Sequence, residues 1–232
     1  MKIAVTRLAG KEKNDAERCA SYGHACYSVH PLHSDIMYDQ IKAFVDAVDR
    51  DEFDCLFFTS ALPAKLIAPL LNRRTPRIIA IGPQTAKELQ QSKIECETLP
   101  SFYSRDFVPY LGEWIRGKHI GIPRADVPNP SLIEAIISAG GIVHEFHCYR
   151  LEPTGVPLDL KNADAILFTS AMSFAKAVWT RDMELIVIAI GEITADRMIR
   201  AGTTPDVIGD GSLEGSLRAL NEYAAKKGVC AT

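Results

Sequence analysis

Two pairs of hydroxyl residues stand where an apolar run gives way to a helical pattern: Thr59-Ser60 after "DCLFF", and Thr169-Ser170 after "DAILF". Thr85 and Thr194 lie in the first helical turn after Gly82-Pro83-Gln84 and Gly191-Glu192-Ile193. "PNPSLIEAI" puts Asn129 at a helix N-cap and Pro130 at N1. Arg7 and Arg124 each follow an apolar run directly, so their guanidinium groups are expected at the same edge. In open α/β sheets ligands bind beyond the carboxyl ends of the strands, beside the free N–H groups of the next helix. Hydroxyls, free amides and a cation there suit a polar anionic ligand. Any one Ser, Thr or Asn at such a place is more often only a cap; the repeated pattern tells more than its members. Tyr103 and Tyr149 are the two tyrosines with acidic hydroxyls that could reach this edge, and for either alone packing is the plainer role.

The familiar catalytic signatures are missing. The chain has no GxGxxG, no GxxxxGK[ST] and no GxSxG, and no acidic residue ends a strand as a phosphoacceptor would. Its six histidines lack metal-ligand spacing, and His144 and His147 on one strand face opposite ways. No metal or cofactor is therefore expected. A net charge of −3 and a pI near 6.1, with no basic stripe, argue against nucleic-acid and membrane-surface partners. No apolar run approaches the roughly 18 residues that span a bilayer. "MKIAVTRLAGKEKND" reads as a strand and not a signal peptide. Cys19, Cys26, Cys55, Cys96, Cys148 and Cys230 show no CxxC spacing and read as core or surface thiols, so a cytoplasmic chain is expected.

These residues are positioned by elements that occur twice. Thr59 and Thr169 are 110 apart, Gly82 and Gly191 are 109 apart, and Arg7 and Arg124, like Gly23 and Gly140, are 117 apart. Four blocks in one order indicate a duplication with a unit of half the chain. Strands are expected at Ile3–Val5, Ala25–Val29, Cys55–Phe58, Arg77–Ile81 and Glu95–Leu99. Their counterparts are Ile120–Ile122, Ile142–Phe146, Ala165–Phe168, Leu185–Ile190 and Thr204–Ile208. Amphipathic helices, such as Tyr38–Val48, Leu132–Ile137 and Ser212–Tyr223, lie between. Continuous apolar strands alternating with helices imply an α/β fold with two doubly wound parallel-sheet lobes. Either the chain divides near Gly117, or the amino-terminal βαβ completes a lobe built from the carboxyl-terminal half. "VHPLHSDI" and "CYRLEPTGVP" are matched stretches where two crossing connections would run.

"LFFTSALPAKLI", "IAIGPQTAKEL", "SFYSRDFVPYL", "GIPRADVPNPSLIEAIISAGGIVHEFHCYR", "ILFTSAMSFAKAV" and "IAIGEITADRMIRAG", in this order, resemble the uroporphyrinogen-III synthase family across nearly the whole chain. The resemblance implies the exchanged arrangement. One lobe would hold residues 1–33 and 154–232, the other 34–148, with a two-stranded connector near 29–36 and 148–157. It implies a cofactor-independent cyclising hydro-lyase acting on a linear tetrapyrrole, hydroxymethylbilane. That substrate loses its terminal hydroxyl as water and closes with inversion of the last ring to give uroporphyrinogen III. Tyr149 in "EFHCYR" matches the family's cleft tyrosine and would supply a proton or a hydrogen bond. Thr59, Ser60, Thr85, Ser104, Ser170 and Thr194, with Arg7 and Arg124, would contact the substrate's carboxylates. "GEIT" is read as putting Glu192 where its counterpart "GPQT" has Gln84, and that carboxylate would repel an anion unless turned away. Ser104's loop has only a loose counterpart near Ser212. A monomer is taken as the default. The rival reading is a non-catalytic two-lobed small-molecule binding or sensor protein, which would share the edges and the duplication.

Overall fold

The computed structural model describes residues 1–10, 12, 14–72 and 76–228, so Cys230 lies outside the described residues. In chain order the first elements are β1 (Lys2–Thr6), α1 (Asp15–Ala20), β2 (Ala25–Val29), β3 (Leu32–Ile36), α2 (Tyr38–Asp49), β4 (Cys55–Phe58) and α3 (Ala61–Ile67). Next come β5 (Arg77–Ala80), α4 (Pro83–Gln91), β6 (Glu97–Thr98), α5 (Phe107–Leu111), β7 (His119–Ala125), α6 (Pro130–Ser138) and β8 (Ile142–Pro153). The last are β9 (Ala165–Phe168), α7 (Ala171–Lys176), β10 (Ile186–Ala189), α8 (Glu192–Arg200), β11 (Val207–Ile208) and α9 (Leu213–Lys227). Residues 1–34 and 152–232 form one compact unit, and residues 35–151 form the other.

Unit one carries the sheet β11-β10-β9-β1-β2, and the sheet of unit two runs β3-β8-β7-β4-β5-β6. The ladders β1/β2, β1/β9, β9/β10 and β10/β11 are parallel, as are β4/β5, β4/β7, β5/β6 and β7/β8. Apart from the added β3, the two orders are the same, with β7 and β8 standing where β1 and β2 stand. Strand order reverses between β1 and β9 in unit one and between β7 and β4 in unit two, and a doubly wound sheet opens its ligand crevice at such a point.

The apolar runs lack alternation because both faces of each sheet are covered. Leu56 and Phe58 pack with Phe44, Ile67 and Leu89 on one face of unit two, while Cys55 and Phe57 pack with Phe107, Ile120 and Ile136 on the other. In unit one Ile3, Val5, Leu167 and Ile188 meet Leu217 and Leu220 of α9, and Ala4, Ile166, Phe168 and Val187 meet Phe174 and Met198. Burial of a side chain of this size contributes about 1.5–3 kcal/mol, which sets the register of every central strand.

Matched bonds repeat in the two units. The Asp164 N–H donates to the Lys2 carbonyl (2.8 Å), and the Lys2 N–H donates to the Asp164 carboxylate (2.6 Å). Asp54 and His119 make the same exchange at 2.9 Å in both directions. Gly23 and Gly140, with φ of 80° and 85°, turn the chain at corresponding places in the left-handed region, where glycine alone is unstrained. β3, "LHSDI", lies within the connector strand expected near 29–36, and β8 runs on to Pro153 through the stretch expected near 148–157.

Candidate active site

Each sheet has helix starts at its carboxyl-terminal edge, with the backbone in nearly one conformation. The N-cap residues Ser60 and Ser170 have φ, ψ of −160°, 159° and −163°, 157°, and Gly82 and Gly191 have −167°, 178° and −172°, 179°. The side chains at these equivalent places have diverged.

In unit one the point of reversal is bolted shut. The Thr169 N–H donates to Thr6 Oγ1 (2.9 Å), and the Thr169 hydroxyl donates to the Thr6 carbonyl (2.6 Å). The fully buried Thr6 hydroxyl donates to the Leu167 carbonyl at 3.2 Å. Together with the pairs Ile3/Ala165, Ala4/Ile166 and Val5/Leu167, these bonds carry the β1/β9 ladder past its last strand residues. Ser170 Oγ accepts from the Ser173 N–H (2.9 Å) and lies 2.8 Å from Ser173 Oγ, so its hydroxyl caps α7. Thr194 is buried in the first turn of α8. Arg7 does not reach over the edge: its Nε and Nη2 bind the Asp15 carboxylate at 2.6 and 3.1 Å. Asp15 sits at the start of α1 and is itself buried, so the expected substrate cation is half of an internal pair.

In unit two the same point lacks these bonds among the described residues. The β4/β7 ladder holds only Cys55/Ile120 and Leu56/Gly121. Pro123 replaces Thr6 there and has neither an N–H nor a hydroxyl to close the gap. Ser60 Oγ makes no cap bond to α3 and lies 3.4 Å from the Tyr149 hydroxyl. Tyr149 is 7% exposed and arrives from β8 immediately after a break in register, where Ala125 pairs with Tyr149 although Arg124 pairs with His147. Such an irregularity re-aims the side chain that follows it. The Asp126 N–H fixes the Tyr149 carbonyl at 2.7 Å. Thr59 is half-buried beside Ser60, and Thr85 is buried within α4.

Arg124 is also tied down, by Glu145 Oε2 at 2.5 Å and by the Val127 carbonyl. It borders a hollow of about 420 Å³ that Asp126, Asn129, Glu145 and His147 share, with His147 Nδ1 3.2 Å from Asp126 Oδ1. Ser104 accepts from Asn129 Nδ2 (3.2 Å), while Asn129 Oδ1 caps α6 through the Leu132 N–H. Ser104 therefore braces a helix start and does not stand free. Beneath the site burial pushes the Cys148 thiol up to about 12, so this cysteine acts as packing.

The sequence placed these residues at the carboxyl-terminal strand edge, where they lie, and missed their partners. Asp15 and Glu145, which neutralise the two arginines, carried a legible signal only once strand neighbours were known. Glu192 is exposed at the first position of α8, where its counterpart is Pro83; Ile193 replaces Gln84 and is 82% exposed. A larger hollow, of about 1030 Å³, lies at the opposite end of the unit-one strands, between residues 157–163 and 178–186, and holds none of the candidate residues. Of the two cations that line it, Lys161 and Arg181, the exposed Arg181 is bound to Asp206 and to the Thr204 carbonyl. Among the described residues no three His, Cys, Asp or Glu side chains are grouped to hold a metal ion, and no helix is long and apolar enough to cross a membrane.

Both units thus belong to a mixed α/β protein with parallel sheets. The chain is similar in fold to a solved uroporphyrinogen-III synthetase from Helicobacter pylori 26695 (TM-score 0.61, 18% identity, covering 96% of this chain and 99% of that one). It is also similar to a mutant uroporphyrinogen III synthase from the extremely thermophilic bacterium Thermus thermophilus (TM-score 0.57, 17% identity, covering 98% and 99%). At such identities the likeness concerns the fold alone. No curated protein matches the sequence. The model of the family described as uroporphyrinogen-III synthase HemD matches residues 16–217, most of the chain. This protein belongs to the uroporphyrinogen-III synthase family.

Proposed function

We propose that the carboxyl-terminal strand edge of unit two carries the chemistry, with Tyr149 as the proton donor and Ser60 as its partner. As a family member the chain is a cyclising lyase of porphyrin biosynthesis, acting on a tetrapyrrole. The family resemblance names hydroxymethylbilane as the substrate and uroporphyrinogen III and water as the products. An electron-rich pyrrole expels hydroxide readily once the leaving oxygen takes a proton, so one weak acid suffices. General acid catalysis of this kind contributes about 10²–10⁴-fold. Tyr149 suits the role because its ring is packed while its hydroxyl faces a second hydroxyl that no helix cap consumes. That hydroxyl pair at an unsealed strand reversal is the observation that carries the reading.

The other requirement is a fold of the substrate chain that brings the substituted carbon of the last ring to the electrophile. Positioning can supply roughly 7–11 kcal/mol at best. We assign it to the turns at Thr59, Ser60 and Thr85 in unit two and at Ser170 and Thr194 in unit one, through helix-start amides more than through the tied arginines. The exchange of amino-terminal elements between two copies of one ancestral unit accounts for the matched strand orders and the matched aspartate bonds. The five described cysteines are free thiols, as in a reducing compartment, which supports a cytoplasmic enzyme. A monomer accompanies this reading.

The test is to supply freshly generated hydroxymethylbilane to the purified chain and separate the oxidised products by isomer. The type III isomer is expected above the spontaneous background. Type I alone, at the spontaneous rate, would overturn the catalytic reading in favour of the binding module.

A further inference from the structure

The two units start α4 and α8 with one backbone conformation and differ in the residue that covers it. Gly82 and Gly191 are the matched N-caps. A methyl group on Gly191 would lie 3.2 and 3.3 Å from the backbone nitrogen and Cα of Gly211, which follows β11 with φ 97°. A methyl group on Gly82 would lie 3.4 Å from Cβ and Cδ1 of Phe102, which follows β6 with φ 62°. β6 and β11 end the two sheets in the same way, through the parallel pairs Ala80/Thr98 and Ala189/Ile208. Both covering residues therefore sit in the left-handed region, where glycine is unstrained and a side chain is not. In unit one glycine suffices to cover the turn. Unit two keeps a phenylalanine in that conformation although its ring joins neither apolar cluster of the unit, and Phe102 is 53% exposed. A strained residue held without a packing reason points to function.

The ring stands at the edge that carries Ser60. β5 pairs with β4 through Ala80 and Phe58, and the Ile81 N–H donates to the Phe58 carbonyl at 2.9 Å, so the Gly82 turn lies beside the Thr59-Ser60 turn. Tyr103, next in the loop, is also exposed, and the Arg105 guanidinium lies 4.6 Å from the centre of its ring. Unlike Arg7 and Arg124, Arg105 makes no ion pair among the described residues. An apolar ring face beside an untied cation suits a ligand that is both flat and anionic. We propose that Phe102 is a substrate-binding residue, the platform on which one pyrrole ring of the tetrapyrrole stacks above the start of α4. This rests on the assignment of the chemistry to the unit-two edge. A pyrrole is planar and electron-rich, and offset stacking on an aromatic ring adds to the gain from apolar burial. Phe102 has no proton to give, so it governs how the substrate is held and not which group donates.

The experiment measures type III isomer formation against hydroxymethylbilane concentration, and separately the binding of uroporphyrin III, the fluorescent oxidised product. Phe102→Gly removes the ring and the strain together. Its melting temperature should equal or exceed the parent's, while KM rises about fivefold to thirtyfold. Its kcat should stay within about threefold, and porphyrin binding should weaken by the same factor as KM. Phe102→Tyr should keep KM within about twofold of the parent's, whereas Phe102→Leu, apolar but not planar, should behave as the glycine variant does. A ring that only packs gives the reverse, a lower melting temperature with KM unchanged in Phe102→Gly, and that result overturns the proposal. A leucine variant equal to the parent also overturns it. Should the parent form no type III isomer yet bind the porphyrin more tightly than Phe102→Gly does, the catalytic reading falls and the platform stands. Should the parent form that isomer while Phe102→Gly keeps both its KM and its porphyrin affinity, the platform falls and the catalytic reading stands. Neither turnover nor porphyrin binding in the parent overturns both.

Discussion

Replacing Thr6 by valine keeps the branched shape and removes one hydroxyl from the sealed reversal of unit one. That hydroxyl accepts from the Thr169 N–H (2.9 Å), donates to the Leu167 carbonyl (3.2 Å) and lies 3.3 Å from Thr169 Oγ1. Thr6 is fully buried, so water cannot replace it. Leaving one buried donor unsatisfied costs about 1–3 kcal/mol, and the lost donor bond about 1 kcal/mol more. A fall of about 2–4 kcal/mol in unfolding free energy is therefore expected, measured by urea unfolding followed by circular dichroism. Thr169→Val removes the reciprocal 2.6 Å bond, and the double variant should lose less than the two singles together, with a coupling of about 0.5–2 kcal/mol. Turnover of the folded Thr6→Val protein should stay within about twofold of the parent's, since the Thr6 hydroxyl is spent on internal bonds. A stability loss under about 0.5 kcal/mol would refute the seal. A large loss of turnover with stability intact would show that the pair faces substrate, and that the contrast between the two edges is misread.

The helix-start serines should separate. Ser170→Ala removes a true cap and should cost about 0.5–2 kcal/mol of stability, whereas Ser60→Ala should cost less than about 0.5 kcal/mol while lowering turnover; thermal melts and initial rates distinguish the two. His24 is buried, and burial lowers its proton affinity; Asn221 lies close enough to oppose this shift, yet neither ring nitrogen finds a partner at hydrogen-bond geometry among the described residues. The unfolded chain then binds more protons below the ordinary histidine value near 6.5. Stability should fall as pH drops from about 7 to 5, and His24→Leu should flatten that slope in urea titrations. Asp54 accepts from the His119 N–H and from Lys118 Nζ at 3.0 Å, which lowers its proton affinity. With 35% of its side chain exposed, Asp54→Asn should cost only about 1 kcal/mol at pH 7. That stability belongs to the ionised form, so the gap between parent and variant should close as pH falls below about 4.

The central strands were legible because each is covered on both faces, so its residues read as one apolar run and the repeat could be found without a partner sequence. The caps at Asn129 and Ser170 were legible for a local reason, since a capping side chain reaches an N–H only two or three residues on. β3 was legible only through the family resemblance, which implied a two-stranded connector near 29–36; by pattern alone an edge strand of five residues resembles a linker. The arginines were misjudged for want of tertiary information. Asp15 reaches Arg7 from the next helix, and Glu145 meets Arg124 from a neighbouring strand, diagonal to its register partner His147. Nor does the sequence announce the irregularity at Cys148, without which a strict two-residue period would aim Tyr149 differently. The loss of the Thr6-type bonds at Pro123 needs the two units compared in space, since in the sequence it is one proline in an otherwise ordinary strand.

The decisive measurement is the rate of type III isomer formation by Tyr149→Phe, at matched folding, beside the parent chain. Loss of the hydroxyl that meets Ser60 should slow turnover by about tenfold to a thousandfold, within the general-acid range, without changing which isomer the enzyme makes. Parent-like turnover in that variant would contradict the account, because another group or water would then be delivering the proton.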